Sequence, residues 1–295
     1  MRFWLLVPVF AALVAGVLLA ASAFAGTASS PQPFVPQGAY LVALAGSDGN
    51  GHQLAVLNSR GRLLRNGPQI PDGYGMQAMA LSADRQSAYV SVDDSSPRLY
   101  EIALASGKRV LIADDAMSPA LSPDGTELAY LTVDSGVLTA LAIRNLQTGS
   151  VRTIPFPPHV GVGTPPELVI NWSPHGRFIA LFDGTRTRIV NVASAPTVES
   201  QRTIRNMGPG VSPVFLGKHK LVVLVHCCST QLLTAVDLRS DAEKYWAYVG
   251  NPPEDIHRLN PNTLLAVTAM HRLVLITQGH RAKAITKRKI VAVAP

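Results

Sequence analysis

The apolar positions of this chain fall in short, unbroken runs. Residues 177–182, 220–226 and 263–269 are apolar at nearly every position, not at alternate ones. A strand with one wet face alternates, so a continuous run implies that both faces are covered. The runs are too short, and too rich in Val, Ile and aromatic residues, to make good helices. They predict strands sandwiched between other sheets.

A phrase recurs around these runs. Ser122-Pro123-Asp124-Gly125-Thr126-Glu127-Leu128-Ala129-Tyr130-Leu131 returns as Ser173-Pro174-His175-Gly176-Arg177-Phe178-Ile179-Ala180-Leu181-Phe182, and in worn form as Ser82-Ala83-Asp84-Arg85-Gln86-Ser87-Ala88-Tyr89-Val90-Ser91. The spacing is that of a propeller blade, about 40–50 residues. The best copy divides into an inner strand at 117–122, a tight turn at Pro123-Asp124-Gly125, and strands at 127–133, 138–145 and 151–155. Four antiparallel strands make one blade.

Walking the chain with this template predicts an all-β fold: a single β-propeller of about six four-stranded blades. The first blade takes residues 39–45 and 53–64. The others begin at Met76, at Met117, near Leu168, near Val211 and near Ile256. The first blade lacks an inner strand of its own. Residues 289–294 form a good strand without local partners. They are expected to fill that place and close the ring, which removes two exposed edges.

Composition agrees with a folded body. Hydrophobic residues make up 47% of the chain and charged residues only 15%, which excludes a disordered polymer. The net charge is +7, with Arg281, Lys283, Lys287, Arg288 and Lys289 close together near the end of the sequence. This cluster suits either an anionic lipid or polymer, or a solvated strand edge that discourages pairing. No nucleic-acid motif or aromatic interleaving accompanies it, so no nucleic-acid partner is expected.

The first residues carry an address. Arg2 precedes an apolar run from Phe3 to Ala21, and Ala23-Phe24-Ala25 has the small-x-small pattern of a signal-peptidase site. The run is also long enough to span a bilayer. Residues 1–25 therefore read as a signal peptide or an N-terminal membrane anchor, with attachment through residues 3–25 in the second case. Residues 26–38 read as a Ser- and Pro-rich linker, and 39–295 as the propeller. Either way the body is expected outside the cytoplasm: secreted, periplasmic or anchored.

The Ser-Pro-Asp-Gly turn followed by an apolar strand resembles the WD40-like repeats of the TolB propeller. Asn171-Trp172 before Ser173-Pro174-His175-Gly176 is similar to the same motif with its usual Trp. Tyr89-Val90-Ser91-Val92, followed by Leu99-Tyr100-Glu101-Ile102 and Ser106-Gly107-Lys108, resembles the YVTN-type repeats of lactonase-like propellers. The resemblance implies an extracytoplasmic propeller that serves as an interaction platform. The stretch between the signal and the first blade is too short for TolB's N-terminal α/β domain. These motifs specify strands and turns and carry little chemistry.

Motifs for nucleophilic, zinc or phosphate chemistry are absent from the sequence: no Gly-x-Ser-x-Gly, His-Glu-x-x-His, Gly-Lys-Ser/Thr or Cys-x-x-Cys. Asn171-Trp172-Ser173 is formally a glycosylation sequon, but it falls in an inner strand. His226-Cys227-Cys228 is unusual. Adjacent strand residues point to opposite faces, so the two thiols serve as packing groups, as a strained vicinal or intermolecular bridge, or as part of a metal site. The turns joining second to third strands place Asp48, Asp93, Asp94, Asp134 and Asp183 on one rim, with Cys227 and Cys228. The long inter-blade loops add Tyr74, His159, Glu254, Asp255 and His257 there. Asp48, Asp94, Asp134, Asp183, His226, Cys227, Cys228 and His257 are thus the ligand-binding candidates, with no catalytic residue assigned. Asp also favours turns for local reasons, by bonding nearby backbone amides.

The expected function is a non-enzymatic, exported propeller that binds a protein, peptide or envelope component, without a cofactor. The alternative is a hydrolase or lactonase-like enzyme using a metal in the channel, for which the rim aspartates would suit calcium. A third reading is a purely structural module.

Overall fold

The computed structural model describes residues 32–45, 51–70, 75–93, 96–156, 170–182, 187–194, 202–204, 213–227, 230–251 and 253–295. The chain divides into two units, Met1–Pro33 and Phe34–Pro295. The second is a six-bladed β-propeller, with no helix among its described residues.

Strands β1 (Tyr40–Ala45), β2 (His52–Leu57) and β3 (Leu63–Ile70) build the first blade outward. The second blade is β4 (Gly75–Leu81), β5 (Ser87–Asp93), β6 (Pro97–Ala103) and β7 (Arg109–Asp114). The third is β8 (Ala116–Leu121), β9 (Glu127–Asp134), β10 (Val137–Asn145) and β11 (Val151–Pro155). The fourth comprises β12 (Ile170–Trp172), β13 (Phe178–Phe182), β14 (Thr187–Asn191) and β15 (Arg202–Ile204). The fifth comprises β16 (Val214–Phe215), β17 (Lys220–Cys227), β18 (Thr230–Asp237) and β19 (Glu243–Tyr248). The sixth is β20 (Pro253–Asn260), β21 (Thr263–Thr268), β22 (Leu273–Thr277) and β23 (Lys283–Ala284). The last strand, β24 (Ile290–Ala294), is the innermost strand of the first blade. It pairs antiparallel with β1, with Leu41 opposite Ala294 and Ala43 opposite Ala292. The expected closure is therefore present.

The core explains the unbroken apolar runs. Buried side chains gather in six clusters, each lying between two neighbouring blades. Successive residues of one strand serve different clusters. On β1, Leu41 and Ala43 pack toward the second blade, while Tyr40 and Val42 pack toward the sixth. On β21, Leu264 and Ala266 face the fifth blade, and Leu265 and Val267 face the first. Strand side chains alternate between faces, and here each face meets another sheet. The inner strands touch in a closed cycle: β24 against β4, then β8, β12, β16, β20 and β24 again.

The repeated phrase is a turn with its own chemistry. In the third blade the Ser122 hydroxyl donates to Asp124 Oδ1 at 2.6 Å and accepts the Glu127 N–H at 2.9 Å. Gly125 holds φ at +73°, a conformation that costs other residues. Ser82 and Asp84 make the same pair in the second blade, and Ser173 accepts the Phe178 N–H in the fourth.

The stretch from Phe34 onward, read from sequence as the end of a linker, packs onto the second blade. Val35 is fully buried. Arg85 donates to the carbonyls of Val35, Pro36 and Ala39.

Candidate functional site

A cavity of about 290 Å³ lies on the propeller axis, where the inner strands give way to the second strands. All six blades line it: β4, β8, β12, β16 and β20 contribute directly, and Pro295 follows β24. Its walls are mainly apolar, with Ile170, Trp172, Leu121 and Phe215 among them. The polar side chains on the wall are Asn171, His257 and Arg258, with the indole N–H of Trp172. No carboxylate side chain lines it.

The polar groups differ in how well they are satisfied. Trp172 Nε1–H donates across the blade boundary to the Ala120 carbonyl at 3.0 Å. Asn171 Nδ2 and Arg258 Nε are buried and have no hydrogen-bond partner. They sit on β12 and β20, the strands on either side of β16. With only two residues, β16 is the shortest of the described inner strands.

Asp255 and His257 form a second polar group. Asp255 is buried, and its Oδ2 accepts the Val293 N–H at 2.9 Å. Its Oδ1 lies 2.7 Å from His257 Nε2, a close ion-pair contact whose angle departs from a hydrogen-bond line. Burial pushes the His257 pKa down, but the Asp255 carboxylate outweighs it and holds the imidazole above its ordinary value. This pair joins the sixth blade to the strand that closes the first.

Of the candidates read from sequence, His257 lies on the cavity wall, whereas Asp134 is not among its lining residues. Asp134 is exposed at the end of β9, and its Oδ1 accepts the Ser135 hydroxyl at 3.0 Å. By strand direction it lies at the other end of its blade from the axial cavity. Glu254, Asp255 and His257, expected on an inter-blade loop, lie within inner strand β20. Asp255 meets β24 at the blade boundary, and His257, beside it, also lines the cavity wall. His226 and Cys227 end β17, opposite Gln231 and Thr230. Asp48, Tyr74, Asp94, His159, Asp183 and Cys228 lie outside the described residues. Among the described residues, no three His, Cys, Asp or Glu side chains are grouped to hold a metal ion.

Asn171 and Arg258 were not singled out as binding residues from sequence. A signal existed for Arg258: β20 reads Pro-Glu-Asp-Ile-His-Arg-Leu-Asn, far more polar than the other described inner strands.

Known proteins share the architecture. TolB from Acinetobacter baumannii superposes with a TM-score of 0.63 at 13% identity, covering 88% of this chain and 67% of that one. A chain of the nidogen/laminin complex gives 0.60 at 11% identity, covering 87% and 98%. At these identities the likeness is one of fold. In sequence, the Tol-Pal system protein TolB of Sodalis glossinidius is 52% identical over 46 residues, and that of Escherichia coli K12 is 54% identical over 46. Each match spans 15% of this chain and only 10% of the relative. No protein-family profile matches the chain. The chain thus shares the β-propeller fold of TolB and one short stretch of similar sequence with it.

Proposed function

We propose that this chain is an exported, non-enzymatic binding module that receives a protein or peptide of the cell envelope at the mouth of its axial cavity. The observation that carries the reading is the cavity itself. Every blade contributes to it, its walls are apolar and aromatic, and a few donors stand at defined places. Sites that recognise ligands combine these properties. The segment at residues 3–25 supports export or anchoring. The short stretch shared with a Tol-Pal system protein supports this reading. The nidogen/laminin complex offers a propeller of like fold in a protein assembly.

Site-directed photo-crosslinking in cells tests this. A photoreactive side chain at Leu121, on the cavity wall, is expected to give a discrete adduct with an envelope protein. One at Val110, exposed on an outer strand, is expected to give none. Equal labelling from both positions, or none from Leu121, would contradict the proposal. So would recovery of the chain in the cytoplasmic fraction.

A further inference from the structure

We propose that Asn171 and Arg258 form a clamp for a carboxylate at the axial cavity, so that the ligand of this site carries an acidic group on an apolar body. The inference rests on the binding reading above and adds the chemistry of what is bound.

Two buried donors without acceptors are the starting point. Arg258 Nε and Asn171 Nδ2 are both out of contact with solvent and both unpaired. An unmade hydrogen bond in the interior carries the full desolvation penalty of the group, and for a cation the penalty is larger. Such groups are kept where something else satisfies them. Both belong to residues of the same cavity wall, on the strands flanking β16. Two donors, one of them charged, fit an anionic acceptor better than a neutral one, because charge-assisted hydrogen bonds are about twice as strong.

The surroundings favour the same sign. The carboxylate closest in sequence, Asp255, is occupied by the Val293 N–H and by His257. Arg85 stands near the mouth and donates to an oxygen of Pro295, the last residue of the sequence, at 3.4 Å. No Asp or Glu side chain lies on the wall, and the Pro295 oxygen there is met by Arg85. The rest of the ligand meets Trp172, Phe215 and Ile170, which suits an aromatic or aliphatic body. A planar guanidinium matches a carboxylate edge, and a side-chain amide supplies a further donor.

The carboxylate could come from an acidic side chain of a peptide or from a small free acid. Calorimetry on the purified full-length chain separates them with three probes: acetyl-Phe-Glu-amide, acetyl-Phe-Gln-amide and phenylacetate. If the group is a peptide side chain, the Glu peptide binds at least about tenfold tighter than the Gln peptide. If it is a free acid, phenylacetate binds and the Glu peptide gains nothing over the Gln peptide. Arg258→Gln removes the Glu preference in the first case and phenylacetate binding in the second, and in both Asn171→Ala weakens binding without abolishing it. A thermal melt of each variant, run alongside, shows that it is folded. Arg258→Lys offers a second variant that keeps the charge but loses the planar fork, and it is expected to recover only part of the affinity.

The clamp is overturned if none of the carboxylates binds at millimolar concentration, if the Gln peptide binds as well as the Glu peptide while phenylacetate fails, or if folded Arg258→Gln keeps full affinity. The envelope-binding reading has a separate readout. If Arg258→Gln still gives the Leu121 crosslink while carboxylate binding is absent in the parent chain, the clamp fails and the binding module stands.

Discussion

The Arg85 guanidinium donates through Nη2 to the Ala39 carbonyl at 2.7 Å, 46 positions away in the sequence. The same side chain reaches Val35, Pro36 and Pro295. It therefore ties together the segment before β1, the residue after β24 and the turn between β4 and β5. Arg85 occupies the place that Gly125 and Gly176 hold in the third and fourth blades, and it adopts the same conformation, with φ at 60°. The strain of a side chain there is offset by the bonds that the side chain makes at the closure.

Those two effects can be separated. Replacing Arg85 by Gly relieves a left-handed strain of about 1–2 kcal/mol. It also removes hydrogen bonds from a charged donor, each worth about 1.5–3 kcal/mol. The loss is larger, so Arg85→Gly is expected to destabilise. Arg85→Ala loses the bonds and keeps the strain, so it should be worse by about 1 kcal/mol. Urea unfolding of the two variants checks the order.

The turns at the cavity end stack from blade to blade. A Cβ on Gly125 would lie 2.5 Å from the Ala83 Cβ of the preceding blade, too close for any pair of carbons. Gly38 has a similar φ of +76°, but a Cβ there meets nothing within 4 Å. Gly38→Ala is expected to cost only the backbone term, about 1 kcal/mol. Gly125→Ala should cost clearly more, about 2–4 kcal/mol, because two blades must also part. Equal losses on thermal melting would show that the turns do not pack.

The Asp255–His257 pair makes closure depend on pH. The folded pKa of His257 stands above its ordinary value of about 6.5. A raised histidine stabilises fully below the unfolded pKa, and the benefit is lost as pH rises through the folded value. The difference in unfolding free energy between the parent and His257→Gln is therefore expected to shrink from mild acid toward alkaline pH. Denaturant unfolding across that range measures it. A difference that grows with pH would mean that burial, and not Asp255, governs this imidazole.

The Trp172 indole tests a blade boundary directly. Its N–H reaches the Ala120 carbonyl of the neighbouring blade. Trp172→Phe keeps most of the ring but leaves that acceptor unpaired, so a loss of about 1 kcal/mol is expected. Trp172→Ala adds the lost packing, about 3–5 kcal/mol in all.

Much of this fold is legible in the sequence because its signals are local. The turn at Ser122 repeats at Ser82 and Ser173, with the same hydroxyl taking the same backbone N–H five residues on. The unbroken runs on β13, β17 and β21 state that both faces are covered, and the inter-blade clusters supply the cover. The strand at 290–294 could be assigned to the first blade because that blade lacked an inner strand.

The site was less legible. Asn171 lies next to a Trp and a Ser that belong to the repeat, so its neighbours explain the stretch without it. From sequence, Asp255 and His257 fall on an inter-blade loop, and charged residues are rare in buried strands. They are tolerated in β20 because a backbone N–H on β24, far along the chain, meets the carboxylate. Arg85 reads as a worn turn residue, and its partners lie about 50 residues back and at the other end of the sequence. Such pairings join residues far apart in the sequence, and a repeat pattern does not name the partners.

Closure itself is open to one direct measurement. Ala43 on β1 faces Ala292 on β24, whereas Leu41 is opposite Ala294 and out of register with Ile290. In a Cys227→Ser, Cys228→Ser background, Ala43→Cys with Ala292→Cys is expected to oxidise to a single intramolecular disulfide, seen by mass spectrometry. The bond should raise stability by about 2–5 kcal/mol, since it joins distant parts of the chain. Leu41→Cys with Ile290→Cys should remain reduced. If the in-register pair stays reduced, or if both pairs oxidise equally, β24 does not complete the first blade, and the ring with its axial site is refuted.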